Sequence, residues 1–144
     1  MAPIYNPSVI RRFTVIAAVA LGLAGCGGGV TYAPVEGNVT SGDKPEVGIQ
    51  VTFEPVGGKP GQLAVGVTDA TGHYTLAAPK GRPVGAIVGS NKVTLSVYQE
   101  APGDEFTVLP KRNIPLPFRD GSRVLDVPAE GIKDANFDLK NAGG

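Results

Sequence analysis

Beyond residue 33 the chain alternates apolar and polar residues in short runs. Glycine, proline, aspartate or serine stops each run after roughly ten positions. A period of two with turns at that spacing describes β-strands, and no later segment keeps a helical period long enough to build a helical layer. Val35, Gly37 and Val39 alternate with Glu36, Asn38 and Thr40; Ile49, Val51 and Phe53 alternate with Gln50, Thr52 and Glu54. Further runs place Leu63, Val65 and Val67, then Tyr74, Leu76 and Ala78, then Val93, Leu95 and Val97 on buried faces. Residues 114–118 (Ile-Pro-Leu-Pro-Phe) are interrupted by proline and read as an edge strand at best. With residues 123–127 and 135–139 the count reaches seven or eight strands, and the expected solution is an all-β, two-sheet sandwich. The predicted core contains Val51, Phe53, Val67, Tyr74, Leu76, Val93, Leu95 and Phe137.

Gly 21 and Pro 13, together with five Ser and three Gln, reach the level at which a chain without repeats can stay disordered. Hydrophobic residues at 42% and charged ones at 18% oppose that outcome, because disordered chains are poor in the first and rich in the second. The formal net charge of +0 supplies no field for a polyanion, so no nucleic-acid partner is expected.

The N-terminus reads as an address. Residues 1–12 carry Arg11 and Arg12 and no acid, and residues 13–24 (FTVIAAVALGLA) are continuously apolar. As a helix this run would span roughly 18 Å, short of the ~30 Å hydrocarbon core, so it is a removable signal rather than a stable span. Leu23-Ala24-Gly25-Cys26 follows, then Gly27-Gly28-Gly29. These residues resemble the lipobox of bacterial lipoproteins, which implies that Cys26 is acylated and becomes the first residue of the mature chain. The alternative is an ordinary signal peptide followed by a free, buried cysteine. Acylation makes the chain membrane-anchored. Losing Arg11 and Arg12 with residues 1–25 leaves 11 Lys and Arg against 13 Asp and Glu, a net charge of −2. The expected organisation is a signal peptide over residues 1–25, Cys26 with a flexible tether to residue 33, the sandwich over 34–140 and a disordered tail over 141–144.

Val35-Glu36-Gly37-Asn38-Val39-Thr40, Lys44-Pro45, the run from Ile49 to Pro55 and Thr68-Asp69-Ala70-Thr71-Gly72-His73-Tyr74-Thr75-Leu76 resemble the carboxypeptidase regulatory-like domain of short bacterial lipoproteins. Gly85-Ala86 with Gly89 and Lys92-Val93-Thr94 resembles that family's entry into its central strand. Ile114-Pro115, Asp126-Val127 and Phe137-Asp138-Leu139 resemble its end. The likeness covers residues 34–139. It implies a transthyretin-like (prealbumin-like) sandwich, a cell-envelope location and a non-enzymatic accessory role. Two positions depart from the family pattern: Asn91 stands where an aromatic residue is common, and Leu116-Pro117-Phe118 replaces a Pro-x-x-Tyr pattern.

The available chemistry is narrow. A nucleophile system of the Ser/His/Asp or Cys/His kind needs an imidazole, and His73 is the one histidine, expected to point into solvent. A zinc site needs three or four N/S ligands, so no metal and no cofactor is expected. Transthyretin-like hydroxyisourate hydrolases use several histidines and a C-terminal Tyr-Arg-Gly-Ser, whereas this chain ends Lys140-Asn141-Ala142-Gly143-Gly144. Asp69 fits the cap of a tight turn closed by Gly72.

If each strand crosses the sandwich once, successive connections alternate between its two ends. That parity places the turns at residues 41–48 and 69–72 and the long 99–113 connection at the end away from the tether. The connections at 56–62 and 79–90 fall at the tether end. Asp43, Lys44, Asp69, Glu100, Asp104, Glu105, Lys111 and Arg112 then share the far end, and of these Asp43, Asp69, Asp104, Glu105, Lys111 and Arg112 are the candidate binding residues. The expected protein is a monomeric, non-enzymatic, lipid-anchored module of a bacterial cell envelope, facing periplasm or exterior. The alternative is a carbohydrate- or protein-binding module that meets an envelope protein or glycan through the 99–113 connection.

Overall fold

The computed structural model describes residues 29–58, 62–78, 84–99 and 112–141. Its longest ladder joins β4 (Ile49–Pro55) to β8 (Gly89–Val97), antiparallel over the whole of β4. Val51 faces Leu95 and Phe53 faces Val93 across this ladder. Directly opposed residues share a face, so these four side chains are buried together while Glu54 and Lys92 lie on the other side. β5 (Ala64–Val67) borders β4 and β9 (Val124–Val127) borders β8, completing a four-stranded sheet.

The second sheet is built on β2 (Glu36–Ser41). One side of β2 pairs antiparallel with β6 (His73–Thr75) and with β3 (Lys44–Pro45), which closes a hairpin from Ser41 to Lys44. Along its other side the C-terminal segment runs parallel, through the Val35 to Ile132 bridge and then β10 (Phe137–Asp138). A short ladder of β1 (Tyr32–Ala33) with β7 (Ala86–Ile87) stands beside the two sheets. The inward faces of both four-stranded sheets meet in one hydrophobic cluster containing Val35, Val39, Ile49, Val51, Phe53, Tyr74, Leu76, Val93, Leu95 and Phe137. The protein is therefore an all-β, sandwich-like fold, with ten strands among the described residues, four of them only two residues long.

The structure corrects several expectations. Val67, expected in the core, is exposed, as is Leu63, and Val65 is half-buried. Pairing decides this: Gly66 lies opposite Val51 and Ala64 opposite Phe53, so the even-numbered residues of β5 share the buried face. Gly66 is small because the backbone of Thr75 and the Tyr74 ring occupy the space a side chain would need. Residues 114–118 form no edge strand. They lead into α1 (Leu116–Arg119), a single helical turn with proline in its first turn, where the missing N–H is harmless. That turn buries Phe118 edge-on against Phe137, with ring centroids 5.7 Å apart. Ordered structure begins before Pro34, since Tyr32 and Ala33 are paired and Ala33 is buried. Asn141 donates from Nδ2 to Asp138, and residues 142–144 lie outside the described residues.

Asn91 holds a corner of the fold. Its amide is buried and donates to the carbonyls of Ile87 and Gly89 at 2.8 and 2.7 Å, fixing the corner where β7 bends into β8. An aromatic residue there could not satisfy those two acceptors.

Among the described residues, the contacts agree with the parity expectation for the turns at 41–48 and 69–72; residues 100–111 lie outside the described residues. At the end where β1 enters, Val88 N–H donates to the Thr31 carbonyl, Val56 N–H to Ser90 and Ile132 N–H to Pro34. At the far end, Val39 N–H donates to the Gly72 carbonyl, Gly48 N–H to Thr68 and Tyr98 N–H to Gly48. β10 lies parallel to β2 because both strands run from the entry end to the far end.

Candidate functional site

The far end is assembled from turns whose polar groups bind one another. Asp69 closes the turn between β5 and β6, as its sequence context predicts. Its Oδ1 accepts from the Thr71 hydroxyl at 2.6 Å, the Thr71 N–H at 2.8 Å and the His73 N–H at 3.2 Å. The Asp69 N–H donates to the His73 carbonyl, and the Gly72 N–H to the Asp69 carbonyl. Gly72 has φ +77°, and a side chain there would press on the Val39 carbonyl and the Pro45 ring. The strands flanking this turn belong to different sheets, so it is a corner of the sandwich as well as a hairpin, held by the Val65–Ala77 bridge.

Asp138 closes a second, C-terminal turn. Its Oδ1 accepts from the N–H groups of Gly42 and Lys140 at 2.8 and 2.9 Å, and its Oδ2 from Asn141 Nδ2 at 2.6 Å. Gly42 belongs to the β2–β3 hairpin, so one carboxylate ties that hairpin to the end of β10. Buried Thr68 adds a third tie, its hydroxyl oxygen accepting from the Ile49 N–H at 2.8 Å.

These contacts set the electrostatics. Hydrogen bonds from the Thr71 hydroxyl and N–H hold the Asp69 carboxyl below its ordinary pKa. The Gly42 N–H, followed by that of Lys140, does the same for Asp138, and the Ser122 N–H for Asp120. A general base at neutral pH needs a pKa near 7, and carboxylates pulled downward are poorly matched to that task. Their geometry suits rigid turns.

Of the candidate residues, Asp43 is exposed in the β2–β3 hairpin, Asp69 caps its turn and Arg112 forms a half-buried ion pair with Glu46. These three share the far end, together with exposed Tyr98 and Val47. Asp104, Glu105, Lys111 and also Glu100 and Cys26 lie outside the described residues. Sequence reading missed Glu46 and Asp138. Glu46 was reachable, since parity places it in the same turn as Lys44; Asp138 was not, because its partner Gly42 is 96 residues away.

His73 projects from the outer face of β6, with Nε2 3.7 Å from a Glu36 carboxylate oxygen across the β2–β6 pair. Among the described residues, no three His, Cys, Asp or Glu side chains converge as a metal site would require. Also among them, no helix is long and apolar enough to cross a membrane. Compared with protein-family models, with curated proteins and with solved structures, the chain finds no match in any of the three.

Proposed function

We propose that the protein is a lipid-anchored, non-enzymatic module of the bacterial cell envelope with a structural or accessory role, carried by a transthyretin-like sandwich. The observation that carries this reading is the sequence Leu23-Ala24-Gly25-Cys26 placed directly after a basic segment and an apolar run of signal-peptide length. Two features of the fold are compatible with it. The chain enters the sandwich at one end through β1, a few residues after Cys26. At the other end Asp69 and Asp138 are engaged in closing turns, and their pKa values are lowered away from what a general base at neutral pH needs.

Acyl chains hold such a module because each buried CH2 contributes about 0.8 kcal/mol, and two or three chains together anchor it stably. The test is the Cys26→Ser variant, followed by detergent phase partitioning of membranes from producing cells. The wild type is expected in the detergent phase in processed form, and the variant as uncleaved precursor. A processed, aqueous-phase wild type with a free thiol contradicts the reading.

A second reading is favoured by the gathering of Asp43, Asp69, Tyr98 and the Glu46–Arg112 pair at the far end. There the module would bind an envelope protein or glycan. Chemical crosslinking on intact membranes separates the two, since this reading requires crosslinks to a partner from Lys44.

A further inference from the structure

Among the described residues, the entry end of the sandwich exposes four large apolar side chains. Val56 is 51% exposed and Val84 63%, and Val30 and Leu63 are exposed as well. All four lie at the entry end. Val30 adjoins Thr31, whose carbonyl accepts from Val88. Val56 is tied to Ser90 by its N–H. Val84 precedes Gly85, which packs on the Ala33 backbone, and Leu63 precedes Ala64, paired with Phe53 at the same end of the β4–β5 ladder. Among the described charged residues at this end, the Asp126 carboxylate accepts from the Ser90 hydroxyl at 3.0 Å, and Glu130 and Lys133 are of opposite sign. The described part of this rim thus combines exposed apolar side chains with charges of both signs.

What covers such a rim is indicated by where the rest of the chain begins. Cys26 lies four residues before Val30, and four extended residues reach at most about 14 Å. Resting on the lipoprotein reading above, we infer that this end of the sandwich docks on the lipid surface that holds Cys26, with Val56, Leu63 and Val84 seated among the headgroups. An acyl anchor that close cannot leave these side chains far from the bilayer, and apolar side chains gain by entering its interface. Docking fixes the long axis of the sandwich upright and presents the Asp69 and Asp138 turns outward.

The chain's one cysteine makes the test simple, because in the acylated protein a single introduced cysteine is the only free thiol. Full-length lipidated Val56→Cys, Val84→Cys and Asp43→Cys proteins are labelled with an environment-sensitive fluorophore. They are then reconstituted in phosphatidylethanolamine–phosphatidylglycerol vesicles containing a lipid that carries a quencher near the headgroup. Loss of fluorescence at positions 56 and 84, with none at 43, is the expected result. Protein that floats with the vesicles and carries the acyl mass, yet loses no fluorescence at any of the three positions, overturns the docking inference and leaves the anchor intact. Protein that neither floats nor carries acyl mass overturns the lipoprotein reading, and the docking inference with it.

Discussion

The two ends of the sandwich are closed by opposite means. At the entry end, Gly85 lets the chain press against the Ala33 backbone, with φ at +113°, and the surrounding surface is apolar valine and leucine. At the far end, carboxylates do the closing: Asp69 accepts three hydrogen bonds inside its own turn, and Asp138 joins two turns that are distant in sequence. Close backbone packing without side chains closes the end where the chain enters the sandwich through β1. Self-satisfied polar turns suit an end that faces water. The difference is one of local chemistry, since one core serves both ends.

The largest effect should come from that shared core. Phe53→Ala removes a fully buried ring at the centre of β4 and is expected to cost ~3–5 kcal/mol. Both ends should loosen together under denaturant, seen as coincident transitions by fluorescence and circular dichroism; loss at one end alone would mean that the ends have separate cores. Gly85→Val comes next. A β-branched residue at that φ, facing the Ala33 backbone, should cost about 1–3 kcal/mol. Hydrogen exchange should quicken at Val88, whose N–H reaches Thr31, and stay unchanged at Gly72. Equal acceleration at both residues would break the distinction between the ends.

Tyr74→Phe is expected to cost about 1–3 kcal/mol, because it strips the Ala135 carbonyl of the buried hydroxyl that donates to it at 2.6 Å. It also carries a pH signature. Burial pushes the Tyr74 phenol above its ordinary pKa, so the folded state holds that proton more tightly than the unfolded chain does. The stabilisation is complete below the unfolded value of ~10 and is lost as pH rises beyond it. Urea midpoints measured across alkaline pH should fall for the wild type and fall less for Tyr74→Phe.

The opposite sign applies to the far end. Asp69 and Asp138 have lowered pKa values, so their contribution is present above the unfolded carboxyl value of ~3.9 and is lost as pH falls through their folded values. Both groups are exposed to solvent, and this is the smallest effect. The Asp69→Asn and Asp138→Asn pair should flatten the acid limb of stability. Line broadening on acidification should begin at Gly42 and Thr71, whose N–H groups donate to these carboxylates, before it reaches Thr31.

Alternation made β2, β4 and β8 legible, because each has one face in the core and its apolar residues fall on every second position. The Asp69–Gly72 corner was equally legible, since Asp and Gly at those positions each have a local reason to be there. β5 misled because both of its faces carry small apolar residues, so only its register with β4 reveals which face is buried. α1 misled because two prolines disguise a helical turn whose purpose, seating Phe118 on Phe137, is a tertiary contact. At the candidate site, chain parity brought Asp43, Asp69 and Arg112 to one end without side-chain detail. The Glu46–Arg112 and Gly42–Asp138 contacts span 66 and 96 residues and leave no local trace.

The proposed orientation, with the entry end toward lipid, rests on acylation of Cys26. The most direct measurement is the intact mass of the N-terminal peptide of the mature protein, taken from membranes. The account predicts that the chain begins at Cys26 and carries the added mass of a diacylglycerol thioether. A mature chain that begins elsewhere, or that begins at Cys26 with an unmodified thiol, would contradict it.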